Sequence, residues 1–377
     1  MAASAPRAVV IGGGVVGSAV AMQLARRGAH VTLLERLPAL ALQASGTSSG
    51  ILHTGFDSTP GELETELILR SAAIRGELLE ALGVPVMDCG AVLTPEGDEQ
   101  LAAVDALETN ARENGVEVSR GPGGELEVPG EHVTDPVACT YAWASAAAGA
   151  GATIRLDTPV DNVRATGNGV EVETADGALE ADVAINCAGL FGGDVSGDRF
   201  GVYPRKGEFL VFDQPAQPVT RIELPVPEPG TKGVLVFPTL DSHVGAGPTA
   251  VDQEDPGDWS VSDQGEALVR KRLAGHSSPL ADAEAIFRYA GLRPAGRDCN
   301  YVIGESPTVP GLVDVGAIRS TGLSASAGIG EYVCELVAEM GIGLGDPEPV
   351  KKGPVPGPAP RSPWWRRTAD FEAGLPL

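Results

Sequence analysis

Residues 8–36, AVVIGGGVVGSAVAMQLARRGAHVTLLER, set out a strand, a glycine turn, a helix, a second strand and a closing acid in that order. Four strand-forming residues, 8–11, run into Gly12-x-Gly14-x-x-Gly17, a segment of helical period ends at Gly28, and residues 30–34 form the second strand. The spacing has a mechanical reason. Gly12 permits the tight turn, Gly14 lets backbone approach a diphosphate, and Gly17 lets the helix pack closely on the strand. The diphosphate then meets unsatisfied N–H groups and the positive end of the helix dipole, so Gly12, Gly14, Val15, Val16 and Gly17 are the expected contacts. Glu35, 18 residues beyond Gly17, stands where a carboxylate accepts hydrogen bonds from both hydroxyls of an adenosine ribose. It would repel a 2′-phosphate, which disfavours NADP. The unit predicts a bound dinucleotide and leaves FAD and NAD both open.

At 377 residues the chain has room for two domains. A formal charge of −24 argues against nucleic acid as a partner, because phosphate-backbone affinity rests on an excess of Lys and Arg. The five cysteines, Cys89, Cys139, Cys187, Cys299 and Cys334, are scattered without any CxxC, so no metal site is expected and they read as reduced thiols. No run of 18 apolar residues and no charged-then-apolar leader is present. No membrane span is expected, and the cytoplasm is the default compartment.

After the dinucleotide unit comes a Ser/Gly/Thr-rich loop, 44–50, followed by Ile51-Leu52-His53-Thr54-Gly55. Leu63, Leu67, Ile74, Leu78 and Leu82 recur at three- and four-residue steps and predict a helix that ends at Gly83. Further helices are expected over 99–114 and 136–149, and strands over 160–163, 170–174 and 182–186. From 202 to about 288 the sequence turns Pro-rich and β-like. A strand at 313–318 and a helix reaching Glu339 follow, so the first unit draws on sequence-distant pieces. Residues 346–377 are punctuated by Pro and read as an extended tail. Its Trp364 and Trp365 either fold back on the chain's own surface or dock a second copy into a homo-oligomer.

Several segments together resemble the FAD-dependent D-amino-acid-oxidase-like superfamily: the N-terminal unit, SSGILHTGFDSTPGEL (48–63), INCAGL (185–190), PRKGEFLVFD (204–213), KGVLVFPTLDSHVGAGPTAVDQED (232–255), AGLRPAG (290–296) and GAIRSTGLSASAGIGEYV (316–333). Within it the chain looks most like the short branch of L-2-hydroxyglutarate oxidases and anaerobic-type glycerol-3-phosphate dehydrogenases. The resemblance implies FAD and an α/β fold: a Rossmann-like FAD-binding domain built from discontinuous segments, plus an α+β substrate domain with a mostly antiparallel sheet. The expected division is residues 1–85 with 135–200 and 289–345 for the first, 86–134 with 201–288 for the second, and 346–377 for the tail.

Carried over residue by residue, the resemblance places Arg36 beside the adenine and Val160 against it. It puts Ser45, Thr47, Ser48 and Ser49 along the ribityl chain and flavin edge, and Ala188 and Gly189 over the diphosphate. Gly322, Leu323 and Ser324 would open a helix whose N–H groups stabilise charge on the reduced flavin.

Oxidising an alcohol by hydride transfer also requires taking the hydroxyl proton, and His53 is the candidate base. Its other readings are a core histidine and a covalent attachment point for the flavin. Arg293 matches the superfamily's carboxylate clamp, where a planar guanidinium gives two parallel hydrogen bonds, and its bland reading is a structural ion pair. Arg205 and Lys206 are further candidates to attract a small anionic substrate.

Longer glycerol-3-phosphate enzymes tend to carry a basic residue where this chain has Phe56 and Asp57. Those two are expected substrate contacts, and Asp57 keeps a cationic amine in play. The leading expectation is oxidation of an L-2-hydroxy acid to the 2-oxo acid. Amine or amino-acid oxidation and glycerol-3-phosphate oxidation are the alternatives inside the superfamily, and an electron-transfer or non-catalytic flavoprotein is the alternative outside it. The electron acceptor, whether oxygen, a quinone or a partner protein, depends on access to the flavin and has no motif.

Overall fold

The computed structural model describes residues 5–197, 201–227, 233–275, 278–361 and 363–377. Its first layer is a six-stranded sheet in the order Val302–Glu305, Leu312–Gly316, Val183–Asn186, Arg7–Ile11, His30–Leu34 and Thr153–Arg155. All neighbours are parallel except the edge strand Val302–Glu305. Side chains alternate across a strand. Ala8 and Val10 therefore join Leu33, Ile185 and Val313 in the core on one face, while Val9 and Ile11 join Leu34, Ala184 and Leu312 on the other. An antiparallel sheet of Val160–Thr166, Gly169–Thr174 and Gly177–Ala181 covers the second face through Val163, Val170 and Val172.

Helices cover the first face. Val15–Ala25 is buried at every position except Val16, with Pro136–Gly149 and Gly322–Glu339 packed against it. A helix buried all round needs small side chains to admit its neighbours, and this one supplies Gly17, Ser18, Ala19 and Ala21. The helix Leu63–Ala81 turns differently from the stripe expected of it: Leu67, Ile68, Ser71, Arg75 and Leu79 are buried, while Ile74 and Leu78 are only half-buried. The reason is close backbone packing on Gly322–Glu339, where a Cβ added to Gly328 would stand 2.3 Å from the Leu67 carbonyl oxygen.

The second layer is a large sheet in which Val202–Asp213 pairs with Val251–Asp252, with His243–Gly247 and, over ten residues, with Phe287–Gly296. From His243–Gly247 the sheet continues through Leu235–Pro238, Ile222–Leu224, Ala91–Leu93, Leu126–Val128 and Ser119–Arg120. It is antiparallel apart from the pairing of Ile222–Leu224 with Ala91–Leu93. Strand Phe287–Gly296 crosses the 288/289 division expected from the sequence, so residues 289–296 lie in this sheet; the expected division at residue 200 falls outside the described residues.

The tail departs from the extended expectation. Pro363 precedes a helix, Trp364–Glu372, in which Trp364, Trp365 and Thr368 share a buried side while Arg366 and Asp370 pair outside. Its tryptophans fold back on the chain. Trp365 packs on Phe287 and His243, and Trp364 meets the Tyr289 ring edge-on at 5.9 Å. All five cysteines are free, as the sequence suggested. Among the described residues no helix is long and apolar enough to cross a membrane.

Candidate active site

One cavity of about 790 Å3 runs between the two layers, and its wall gathers segments from almost the whole chain. At one end lies the glycine turn. Gly12 has φ +108°, and a Cβ there would stand 2.5 Å from the Cys187 carbonyl oxygen. A Cβ on Gly17 would stand 1.9 Å from the Gly12 carbonyl oxygen, so neither position admits a side chain without moving backbone. Ser45 accepts a hydrogen bond from Val15 N–H at 2.9 Å, leaving Val16 and Gly17 as lining residues in the first helical turn, whose N–H groups have no intrahelical partner.

Glu35 is fixed by two backbone bonds, accepting from Gly13 N–H at 2.6 Å and Leu37 N–H at 2.9 Å. Burial pushes its carboxyl above the usual range, while those two bonds act against the shift. Arg36 stacks its guanidinium 3.5 Å from the centre of the Phe191 ring, and Val160, Ala188 and Gly189 complete this end. Burial draws the Arg36 pKa down, opposed by Glu35 and Asp194.

A second helix N-terminus opens on the same cavity from Gly322–Glu339, with Gly322 and Leu323 in the wall. Neither this helix nor Val15–Ala25 has an acidic residue in its first turn, so both present uncompensated positive ends. A diphosphate-bearing dinucleotide fits this donor set and volume. Ser45, Thr47, Ser48 and Ser49 line the same cavity as the two helix ends.

Ser324 is not part of the wall. Its hydroxyl instead accepts from His53 N–H at 2.8 Å and so fixes the backbone that carries His53. His53 lines the cavity, and its Nδ1 lies 2.8 Å from Oε2 of Glu131, a residue with no exposed side-chain surface. The other oxygen of Glu131 accepts from Thr54 N–H at 2.6 Å and from the Thr54 hydroxyl at 2.9 Å. A carboxylate only accepts, so Nδ1 carries the proton and Nε2 the lone pair. Buried Arg75 donates to the carbonyls of Ser324 and Leu52. Burial pulls its pKa down to about 10, and the charge of Glu131 opposes that shift.

Phe56, Asp57, Arg205 and Arg293 also line the cavity. Arg293 donates through Nε to the Arg205 carbonyl at 3.2 Å, and through Nη2 to the carbonyls of Lys206 at 3.2 Å and Thr249 at 2.6 Å. These bonds are all to neutral acceptors, and the acid whose charge acts on Arg293 is Asp252, which is itself paired with Arg205. Gly207 makes room for it, since a Cβ there would stand 2.9 Å from Nη2. Burial, together with Arg205 and Arg319, pulls the Arg293 pKa down to about 10. Arg205 is paired with Asp252 through Nε at 2.5 Å and Nη2 at 3.1 Å, and that bond raises its pKa.

Lys206 departs from its expected role. Successive strand residues face opposite sides, so with Arg205 and Gly207 toward the cavity, Lys206 points away and is buried against Asp258 at 2.6 Å and the Ser260 carbonyl at 3.1 Å. Two residues that sequence reasoning missed stand here as well. Glu131 follows a Pro-Gly turn and carries no motif, whereas Arg319 falls inside the GAIRSTGL segment singled out for its helix start rather than for its charge.

The profile of the family described as DAO, FAD dependent oxidoreductase, matches residues 7–336. A glycerol 3-phosphate dehydrogenase of Caloramator mitchellensis is 25% identical over 352 residues, covering 88% of this chain and 73% of that one. An L-2-hydroxyglutarate dehydrogenase of Escherichia coli K12 is 28% identical over 306 residues, covering 71% of each. The solved structure of dithionite-reduced L-alpha-glycerophosphate oxidase from Mycoplasma pneumoniae with FAD bound shares the fold, with a TM-score of 0.83 over 93% of this chain and 99% of that one at 24% identity.

Proposed function

This chain belongs to the DAO family of FAD-dependent oxidoreductases and is an enzyme, and from that premise we propose that it oxidises a small anionic L-2-hydroxy acid to the 2-oxo acid. The observation that carries the proposal is the meeting, in one cavity, of the dinucleotide cradle, the His53–Glu131 pair and the charged guanidinium of Arg293. Gly12, Gly14, Val16 and Gly17 would hold the diphosphate, Glu35 the ribose, and the 45–49 loop with Gly322 and Leu323 the flavin. Bound FAD supplies the acceptor for the hydride that leaves the substrate carbon.

The chain's own side chains do the rest. Arg293 holds the substrate carboxylate through Nη1, the guanidinium nitrogen that the Arg205, Lys206 and Thr249 carbonyls leave unoccupied, in a charge-assisted hydrogen bond. Glu131 accepts from Nδ1 of His53 and so keeps the lone pair on Nε2, which takes the hydroxyl proton as the carbon is oxidised. The resulting imidazolium is stabilised by the same carboxylate. Phe56 and the leucines 93, 107, 224 and 235 line the cavity as well and limit water at this end.

The test is an anaerobic titration of the yellow purified protein with L-2-hydroxyglutarate, glycerol 3-phosphate and glycine, read as bleaching of the flavin. Bleaching by the hydroxy acid alone is expected. A second reading, oxidation of glycerol 3-phosphate, is favoured by the name of the Caloramator relative, and bleaching by that compound in place of the hydroxy acid would select it.

A further inference from the structure

Two charged side chains of the helix Leu63–Ala81 reach the first turn of Gly322–Glu339, and the mechanism above uses neither. Glu64, in the first turn of its own helix, accepts from the Thr321 hydroxyl at 2.6 Å through one carboxylate oxygen and from the Asn300 amide at 2.5 Å through the other. About three turns further on, and so on the same face of the helix, Arg75 donates to the Ser324 carbonyl at 3.1 Å and to the Leu52 carbonyl at 3.3 Å.

The acid changes how the helix that opens on the cavity is capped. Thr321 occupies the N-cap position, where a hydroxyl ordinarily accepts from an N–H of the first turn. Here it makes no such bond. Its one proton goes to Glu64, so the 2.9 Å contact with the buried Tyr301 hydroxyl has the tyrosine as donor. The first-turn N–H groups are left without a side-chain partner, and Thr321, Gly322 and Leu323 stand in the cavity wall. The other helix end on this cavity comes close as well, since a Cβ on Gly322 would stand 3.5 Å from Cγ2 of Val16.

Charge at this helix end acts on the part of the flavin that lies against Gly322 and Leu323. A reduced flavin carries more negative charge than an oxidised one, so a nearby cation stabilises the reduced form and a nearby anion opposes it. Glu64 and Arg75 touch the same turn with opposite signs. Neither lines the cavity, so both act from behind the helix and neither meets the substrate. Resting on the placement of the flavin given above, we propose that the helix Leu63–Ala81 trims the reduction potential of the cofactor, with Glu64 lowering it and Arg75 raising it.

The test is the midpoint potential of the bound flavin, read by reducing the holoprotein at equilibrium with a dye of known potential. Glu64→Gln should raise the equilibrium constant for reduction by about tenfold, close to 30 mV for a two-electron couple, and Arg75→Met should lower it by a similar factor. Glu64→Asp and Arg75→Lys keep the charge and should stay within about threefold of the wild type. The Gln variant suits its surroundings: Asn300 Oδ1 has no hydrogen-bond partner among the described residues, and a flip of that amide lets it accept from the new N–H.

Shifts of the same sign in Glu64→Gln and Arg75→Met would mean altered solvent access in place of charge and overturn the proposal, as does an unmoved potential in either. An Asp or Lys variant that shifts as far as its neutral counterpart overturns it too. Should Arg75→Met fail to hold FAD, Glu64→Gln against Glu64→Asp still decides. The measurement needs no turnover. Opposite shifts in a protein that no hydroxy acid bleaches sink the proposed reaction and spare this inference, whereas unmoved potentials in a protein that L-2-hydroxyglutarate bleaches do the reverse.

Discussion

Nδ1 of His53 and Oε2 of Glu131 lie 2.8 Å apart although 78 residues separate them in the chain. The pair fixes which imidazole nitrogen is protonated, and that makes Glu131 a positioning residue with a specific signature. In Glu131→Gln the amide oxygen can still accept from Thr54, but the amide N–H then donates to Nδ1, which forces the proton onto Nε2 and removes the base. Flavin reduction at saturating substrate should slow by about 10²-fold with little change in KM. Stopped-flow reduction of Glu131→Gln, His53→Ala and the double variant checks this: groups acting as one unit are not additive, so the double variant should be no slower than His53→Ala. Additive losses would mean that Glu131 supports the fold and not the base.

Replacing Arg293 by Lys keeps a positive charge but loses the planar fork and the bonds that orient it on the Arg205, Lys206 and Thr249 carbonyls. KM for the anionic substrate should rise by about tenfold or more while the limiting reduction rate changes less. A KM at the wild-type value counts against Arg293 as the clamp.

Lys206→Met should leave KM unaltered, since that side chain faces away from the cavity, and should change acid stability instead. The hydrogen bond from Lys206 holds the Asp258 carboxyl down at about 2. A depressed carboxylate stabilises the fold above its unfolded pKa and loses that contribution as pH falls through its folded value. The stability difference between wild type and variant is therefore full above about pH 4 and gone near pH 2. Denaturant midpoints across that window measure it, and a gap that widened toward low pH would be the wrong sign.

The C-terminal helix is tied to the cavity through a stack of rings. Trp364 meets Tyr289, Tyr289 lies parallel to Phe209 at 4.7 Å and 7°, and Phe209 lines the cavity. Trp364→Ala removes a fully buried indole, a loss of about 3–5 kcal/mol. It should lower both the unfolding temperature and the temperature at which flavin fluorescence is released. The outward-facing Arg366→Ala should change neither by more than a fraction of that amount.

How much of this was legible depended on sequence distance. The glycine turn, Glu35 and the helix Pro136–Gly149 are set by neighbours a few residues away, and they stand where local pattern put them. Asp135 caps that helix through the N–H groups of Val137 and Ala138, a signal written in adjacent letters. The face taken by Lys206 is not legible locally, because composition does not give the parity of a strand, which depends on the face its sheet turns to the cavity. The tail's helix is hidden by the prolines around it, since the pattern of Trp364, Trp365 and Thr368 spans only five residues and its tryptophans are satisfied by distant partners at Phe287 and Tyr289. Glu131 had no local mark at all. What makes it important is His53, and only the folded chain brings the two together.

The strand order of the first sheet sets a condition on how this protein is made. Arg7–Ile11 leaves the ribosome first, but its neighbour Val183–Asn186 is synthesised much later and the next strand, Leu312–Gly316, later still. Meanwhile Val15–Ala25, buried in the fold at every position but Val16, waits for a helix that ends at Glu339. The stretch between Ala25 and Gly322 is thus made with a sticky, unshielded segment already exposed, the kind of nascent surface that chaperones capture. The cradle for the flavin is therefore complete only after Leu323 has been made, and a ribosome that stalls before residue 312 releases an aggregation-prone fragment rather than a smaller working protein.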